Sequence, residues 1–139
     1  MRWIIAIPLF LYLLIAANVL MVFGPIEHSM MNVIVTQLIL PSNAEIIITV
    51  SDVLILCSMF FLYIETFKAT RTSTASIIDH VLSLVVFLIF FVEFLVVPRL
   101  GNTTFLIMMV GALMDVVMGF TVTISTARRD FTSAHHGPH

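Results

Sequence analysis

Four apolar stretches of about twenty residues, separated by short polar breaks, make up most of this chain, and about twenty apolar residues are what an α-helix needs to cross bilayer hydrocarbon. They cover residues 3–23, 46–67, 77–97 and 104–126. Inside hydrocarbon every backbone N–H and C=O must be bonded within the structure, so spans of this length predict helices. A barrel would need many short alternating segments, a pattern not seen here. The reading is an all-α membrane protein, a four-helix transmembrane bundle over residues 1–126. Composition points the same way: 60% of the residues are hydrophobic and 10% charged, with a mean hydropathy of +1.16. A soluble domain carries about 25% charged residues. No sizeable soluble appendage is expected.

The ends of the spans carry turn chemistry. The first span stops at Gly24-Pro25 and the third at Pro98. The first span also has features of a signal peptide, with Arg2, an apolar core and Ala16-Ala17. Its apolar run continues through Val19, Leu20, Met21, Val22 and Phe23 without a polar cleavage region, which favours a retained anchor. Basic residues set the orientation. Arg2, Lys68, Arg71, Arg128 and Arg129 fall on one side and Arg99 alone on the other, so both termini are expected in the cytoplasm. Small size and short loops suggest a bacterial inner membrane. Residues 127–139 read as a polar, disordered cytoplasmic tail.

The loop between the first two spans is unusually apolar. Met31, Ile34, Val35 and Leu38 share one helical face, with Asn32 and Gln37 off it, which predicts a short extracytoplasmic interfacial helix over Met30–Leu40. A hydrophobic strand-like plug is the alternative.

Three carboxylates lie well inside the spans, Asp52, Glu93 and Asp115, while Glu65 and Asp79 fall at span ends. An ionised acid at mid-membrane costs about 2.5–3.5 kcal/mol, so such a residue faces a bundle interior, holds a proton or cation, or meets a partner. A helix rises 1.5 Å per residue, which puts Asp52 roughly 9 Å and Glu93 roughly 6 Å below the outer ends of their spans. Asn18 lies at a similar depth and Asp115 deeper. Asn18, Asp52, Glu93 and Asp115 are therefore the candidate proton- or cation-binding residues, expected to converge in the outer half of the bundle. In the fourth span Gly111, Asp115, Gly119 and Thr123 recur every four residues. Small residues let helices approach closely, so Gly111, Gly119 and Thr123 are the candidate helix-packing positions. In the third span Asp79, Ser83, Phe90 and Glu93 fall within a sector of about 80°. In the second, Asp52, Met59 and Tyr63 share one face, and Ser51, Ser58 and Glu65 another. Glu65 and Lys68 read as a boundary ion pair, and Asp79-His80 as the first turn of the third helix.

Metal and enzyme chemistry find little support. Met114 and Met118 form a thioether pair at i, i+4, with Met108 and Met109 above. Thioethers suit Cu(I), and His135, His136 and His139 in the tail are ligand types for copper or zinc. Met is also ordinary packing material in apolar helices, so these are weak metal candidates. The chain contains no HExxH, GxSxG or CxxC motif and no phosphate-cradling glycine loop. Cys57 has no second cysteine to pair with. No cofactor, no catalytic residue and no nucleic-acid partner are expected. Two functions fit what remains. One is an accessory, assembly or interaction subunit of a membrane complex, with other subunits or a second copy as partners in the bilayer. The other is an oligomeric transporter or channel coupled to protons or small cations.

Overall fold

A computed structural model describes residues 7–22, 30–70 and 74–134 of the chain. The start of the first span, Gly24-Pro25, Arg71 and the tail histidines His135, His136 and His139 lie outside the described residues. Four helices dominate: α1 (Leu9–Val22), α2 (Val50–Ala69), α3 (Thr74–Val96) and α4 (Thr103–Ala134). Three segments are long and apolar enough to cross a membrane: Val50–Ala69, Ile77–Val96 and Thr103–Ser125. The described part of α1 is a shorter apolar helix. Helix α4 runs well beyond residue 126, into what the sequence suggested was tail.

Local chemistry explains the helix ends. Pro98 disfavours helical backbone at the residue before it. Accordingly α3 ends at Val96, and Val97 is extended at φ −98°, ψ 106°. Asn102 then precedes α4, and its Oδ1 accepts the Phe105 N–H at 3.0 Å, satisfying one of the amides a helix start leaves open.

The segment between α1 and α2 is not the expected interfacial helix. A single 3₁₀ turn, Met30–Asn32, leads into strand β1 (Ile34–Ile39), which pairs antiparallel with β2 (Glu45–Thr49). The register sets Gln37 opposite Ile47 and Leu38 opposite Ile46, with a bulge between Ile34 and Thr36. The strands are rich in β-branched residues, which pack well on a pleated surface. Leu40 to Ala44 make the turn. Asn43 stands at φ 62°, a left-handed conformation that asparagine tolerates. Strand β2 occupies the first residues assigned to the second span, so that helix starts at Val50 rather than Ile46.

The start of α2 is a capping box. Asp52 Oδ2 accepts the Thr49 N–H at 2.8 Å, and Thr49 Oγ1 accepts the Asp52 N–H at 3.4 Å. Thr49→Ala is expected to destabilise the protein by about 0.5–2 kcal/mol. Thermal unfolding in detergent followed by circular dichroism would measure it, and an unchanged midpoint would mean the box adds nothing.

Helix α4 packs most extensively on α2 and α3, while α1 closes the other side of those two helices. The core runs along α1, α3 and α4 through Phe10, Leu13, Ala17, Val86, Phe90, Phe105, Met108 and Ala112, with Met31 and Leu100 at the hairpin end. Large apolar side chains such as Met59, Phe60, Tyr63, Leu95 and Val96 point outward.

Candidate functional site

The candidate polar residues do not form the single outer cluster that the sequence suggested. They divide among three places.

Asp52 is outside the core altogether. It is exposed and spent on the capping box, because α2 begins only two residues before it. Its face of α2 points outward with it, as Met59 is 64% and Tyr63 60% exposed. The opposite face turns inward: Ser58 and Glu65 are buried, and Ser51 Oγ meets Thr104 Oγ1 at 2.6 Å.

Asn18 and Glu93 do converge. Asn18 Nδ2 donates to Glu93 Oε2 at 2.8 Å and to the Leu14 carbonyl at 3.0 Å, tying α1 to α3 toward the hairpin end. Asp115 is not with them. Glu93 lies ten residues along α3 from Ser83, the side chain that acts on Asp115, which is roughly 15 Å of helix rise.

The third group is the densest, and it assembles at the end of the bundle away from the hairpin. Glu65 on α2, Asp79, His80 and Ser83 on α3, and Asp115 on α4 are all buried. Lys68 joins three elements. Its Nζ lies 2.8 Å from Glu65 Oε2 and 3.1 Å from Asp79 Oδ1, and donates to the Ile7 carbonyl at 3.2 Å. Glu65 Oε1 also accepts the Leu9 N–H. A carboxylate there satisfies an open amide and complements the positive end of the α1 dipole. Asp115 lies in the field of Glu65, Asp79 and Lys68, and Ser83 is the hydroxyl beside its carboxyl. Ser83 Oγ and Asp115 Oδ2 are buried, and neither has a hydrogen-bond partner among the described residues.

The glycines of α4 frame this group. A Cβ at Gly119 would fall 2.5 Å from His80 Nδ1, so the imidazole of α3 sits directly on the glycine. A Cβ at Gly111 would fall 3.0 Å from Phe10 Cε1 on α1. Thr123 returns its hydroxyl to the Gly119 carbonyl at 2.9 Å and is half-buried. Met114 and Met118 face outward, and Met118 Sδ accepts from the Thr66 hydroxyl at 3.5 Å. Among the described residues no group of three His, Cys, Asp or Glu side chains is placed to hold a metal ion.

Sequence reasoning placed Asp115 on a protein-facing stripe but treated Glu65, Lys68 and Asp79 as boundary residues. The missing information was the rotation of α2. Its two polar faces are equally plausible from spacing alone. One signal was available: the face bearing Ser51, Ser58 and Glu65 holds small hydroxyls, the other Met59 and Tyr63, and small polar side chains mark helix contacts.

The chain matches no protein-family model, and no curated protein or solved structure shows detectable similarity to it.

Proposed function

We propose that this protein is a small polytopic subunit that assembles with another membrane protein, inserted in a bacterial inner membrane with both termini cytoplasmic. The observation that carries the reading is the β-hairpin. It leaves Val33, Ile34, Val35, Leu38, Ile39 and Ile47 exposed, with Ile39 73% open. An isolated two-stranded hairpin is marginal in water, and unpaired strand edges are templates for another chain. Beside it an open groove of about 340 Å³ runs from Ile46, Ile47 and Ile48 to Ile55 and Leu56, with Asp52 at its rim. Contiguous exposed apolar surface fits lipid or a partner, and the unpaired strand edges beside it favour a partner. The polar groups inside the bundle hold helices to one another, which also suits a component of an assembly. The five-to-one distribution of basic residues supports the orientation.

The test is gentle solubilisation, purification through a C-terminal tag and native mass spectrometry. A partner at fixed stoichiometry is expected. The double variant Ile39→Lys/Ile47→Lys should release that partner while leaving helical content intact, because both side chains are already exposed. Retention of the partner by the folded double variant would refute the hairpin as the docking element.

A second reading, an oligomeric transporter or channel coupled to protons or cations, is favoured by one observation: Asp115 is buried with an oxygen that nothing satisfies. A clean homo-oligomer in the same experiment would move the weight to it.

A further inference from the structure

Ser83 behaves unlike five other hydroxyls within the helices. Ser58, Thr66, Thr121, Thr123 and Ser125 each return the hydroxyl to a carbonyl three or four residues back, at 2.7–2.9 Å. Mid-helix serine and threonine ordinarily do this, because the local carbonyl is the nearest acceptor. Ser83, only 2% exposed, does not. Its Oγ has no partner among the described residues, and it lies beside the Asp115 carboxyl, one turn along α3 from the His80 that sits on Gly119 of α4. Asp115, 6% exposed, is left equally unsatisfied at Oδ2.

Among the described residues, the buried acids of this group outnumber the lysine that faces them. Glu65 and Lys68 from α2 and Asp79 from α3 face Asp115, with His80 one position beyond Asp79, seated over Gly119. The Lys68 amine is within ion-pair distance of both Glu65 and Asp79 and also holds the Ile7 carbonyl. Among the described residues Asp115 is a third buried carboxyl in the field of that ammonium, outside ion-pair contact with it. A buried carboxylate with an unsatisfied oxygen and further carboxyls beside it is expensive, and like charges in one low-dielectric site do not all ionise freely. A carboxylic acid, by contrast, supplies an O–H donor and keeps an acceptor, matching a hydroxyl that can do the same.

We propose that Asp115 and Ser83 form a proton-binding site, in which the Asp115 carboxyl carries an exchangeable proton and the unpartnered Ser83 hydroxyl is the group that bonds to it once it is protonated. The site is terminal rather than part of a through-path. Toward the loop between α2 and α3, Asp79 lies one turn from Ser83, and Lys68 beyond it is 18% exposed, so polar groups lead to water. Toward the hairpin, Val86, Phe90, Phe105, Met108 and Ala112 close the interior, each 4% exposed or less. A single chain therefore binds a proton at this site without conducting it across. The inference concerns one chain and needs no partner, so it and the assembly reading fail separately.

Infrared spectroscopy of the full-length protein at neutral pH tests it through the carbonyl stretch of a protonated carboxyl. The expected result is such a band, lost in Asp115→Asn, kept in Glu93→Gln, shifted to higher frequency in Ser83→Ala, and lost as the bulk pH is raised. Absence of the band, or its survival in a folded Asp115→Asn variant, overturns the proposal. Loss of the band on adding sodium at constant pH would assign the site to a metal cation and overturn the proton assignment. If Asp115→Asn fails to fold, Ser83→Ala decides alone: an unshifted band removes Ser83 as the partner and the site as proposed.

Discussion

Lys68→Met is expected to destabilise the protein by about 3–5 kcal/mol, the cost of stranding buried charge by removing one member of an ion pair. Glu65 and Asp79 have side chains only 1% and 7% exposed, and Lys68 is the cation placed between them. Methionine fills much the same volume, so packing survives while the charge compensation is lost. The substitution also removes the donor to the Ile7 carbonyl and so loosens α1 from α2. The remaining 18% exposure of the lysine side chain lets some water reach the vacated position, which places the expected loss toward the lower end of that range. Denaturant or thermal unfolding in detergent would read it. The control is the triple variant Lys68→Met/Glu65→Gln/Asp79→Asn. Neutral amides need no countercharge, and the glutamine that replaces Glu65 can still accept the Leu9 N–H through its side-chain carbonyl, so the triple variant should recover part of the stability. A loss below about 1 kcal/mol for Lys68→Met would mean the pair behaves like a solvated surface bridge.

This cluster also shows where sequence reasoning stopped. The number and approximate extent of the helices were legible, because apolar length and the Pro98 break are local signals. So was the small-residue stripe of α4, whose four-residue spacing needs no partner to be seen. The hairpin is ambiguous in the sequence because residues 31–38 satisfy a helical face as well as a strand. Two β-branched runs, Val33-Ile34-Val35-Thr36 and Ile46-Ile47-Ile48-Thr49, flank Pro41-Ser42-Asn43, and that combination is the strand–turn–strand signature. Thr49 followed three residues later by Asp52 likewise marks a helix start and removes Asp52 from the bundle interior. The convergence of Glu65, Asp79 and Asp115 was hidden for a different reason. It depends on how three helices rotate against one another, a tertiary property that periodicity in any one of them leaves open.

Gly119→Leu is expected to abolish the packing of α4 on α3, and Gly119→Ala to weaken it. In a membrane, lipid is as apolar as leucine, so helices associate through close van der Waals fit rather than expulsion of water. Gly119 supplies that fit where His80 crosses α4. A Cβ there meets Nδ1 at 2.5 Å, Cε1 at 2.8 Å and Cγ at 3.1 Å. Contact with Cγ as well as the far ring atoms means the whole imidazole must move, and His80 is only 5% exposed. Overpacking of this kind costs about 1–3 kcal/mol. Alanine recovers about 1 kcal/mol of that through its better helix propensity, so Gly119→Ala should lose up to about 2 kcal/mol net. Leucine adds three further carbons to a position where the first is already too close, so the helices must separate to admit it. A double-mutant cycle isolates the contact: His80→Ala removes the obstructing ring, so Gly119→Ala should be neutral or stabilising in that background. Strict additivity of the two changes, or a Gly119→Leu protein that unfolds like the wild type, would show that the glycine is incidental to the α3–α4 seam. The same cycle bears on the proton site, because Asp115 lies one turn from Gly119 on α4 and Ser83 one turn from His80 on α3. Forcing the seam apart at one pair should draw the other pair out of register, so the protonated-carboxyl band should weaken in Gly119→Ala and return with His80→Ala.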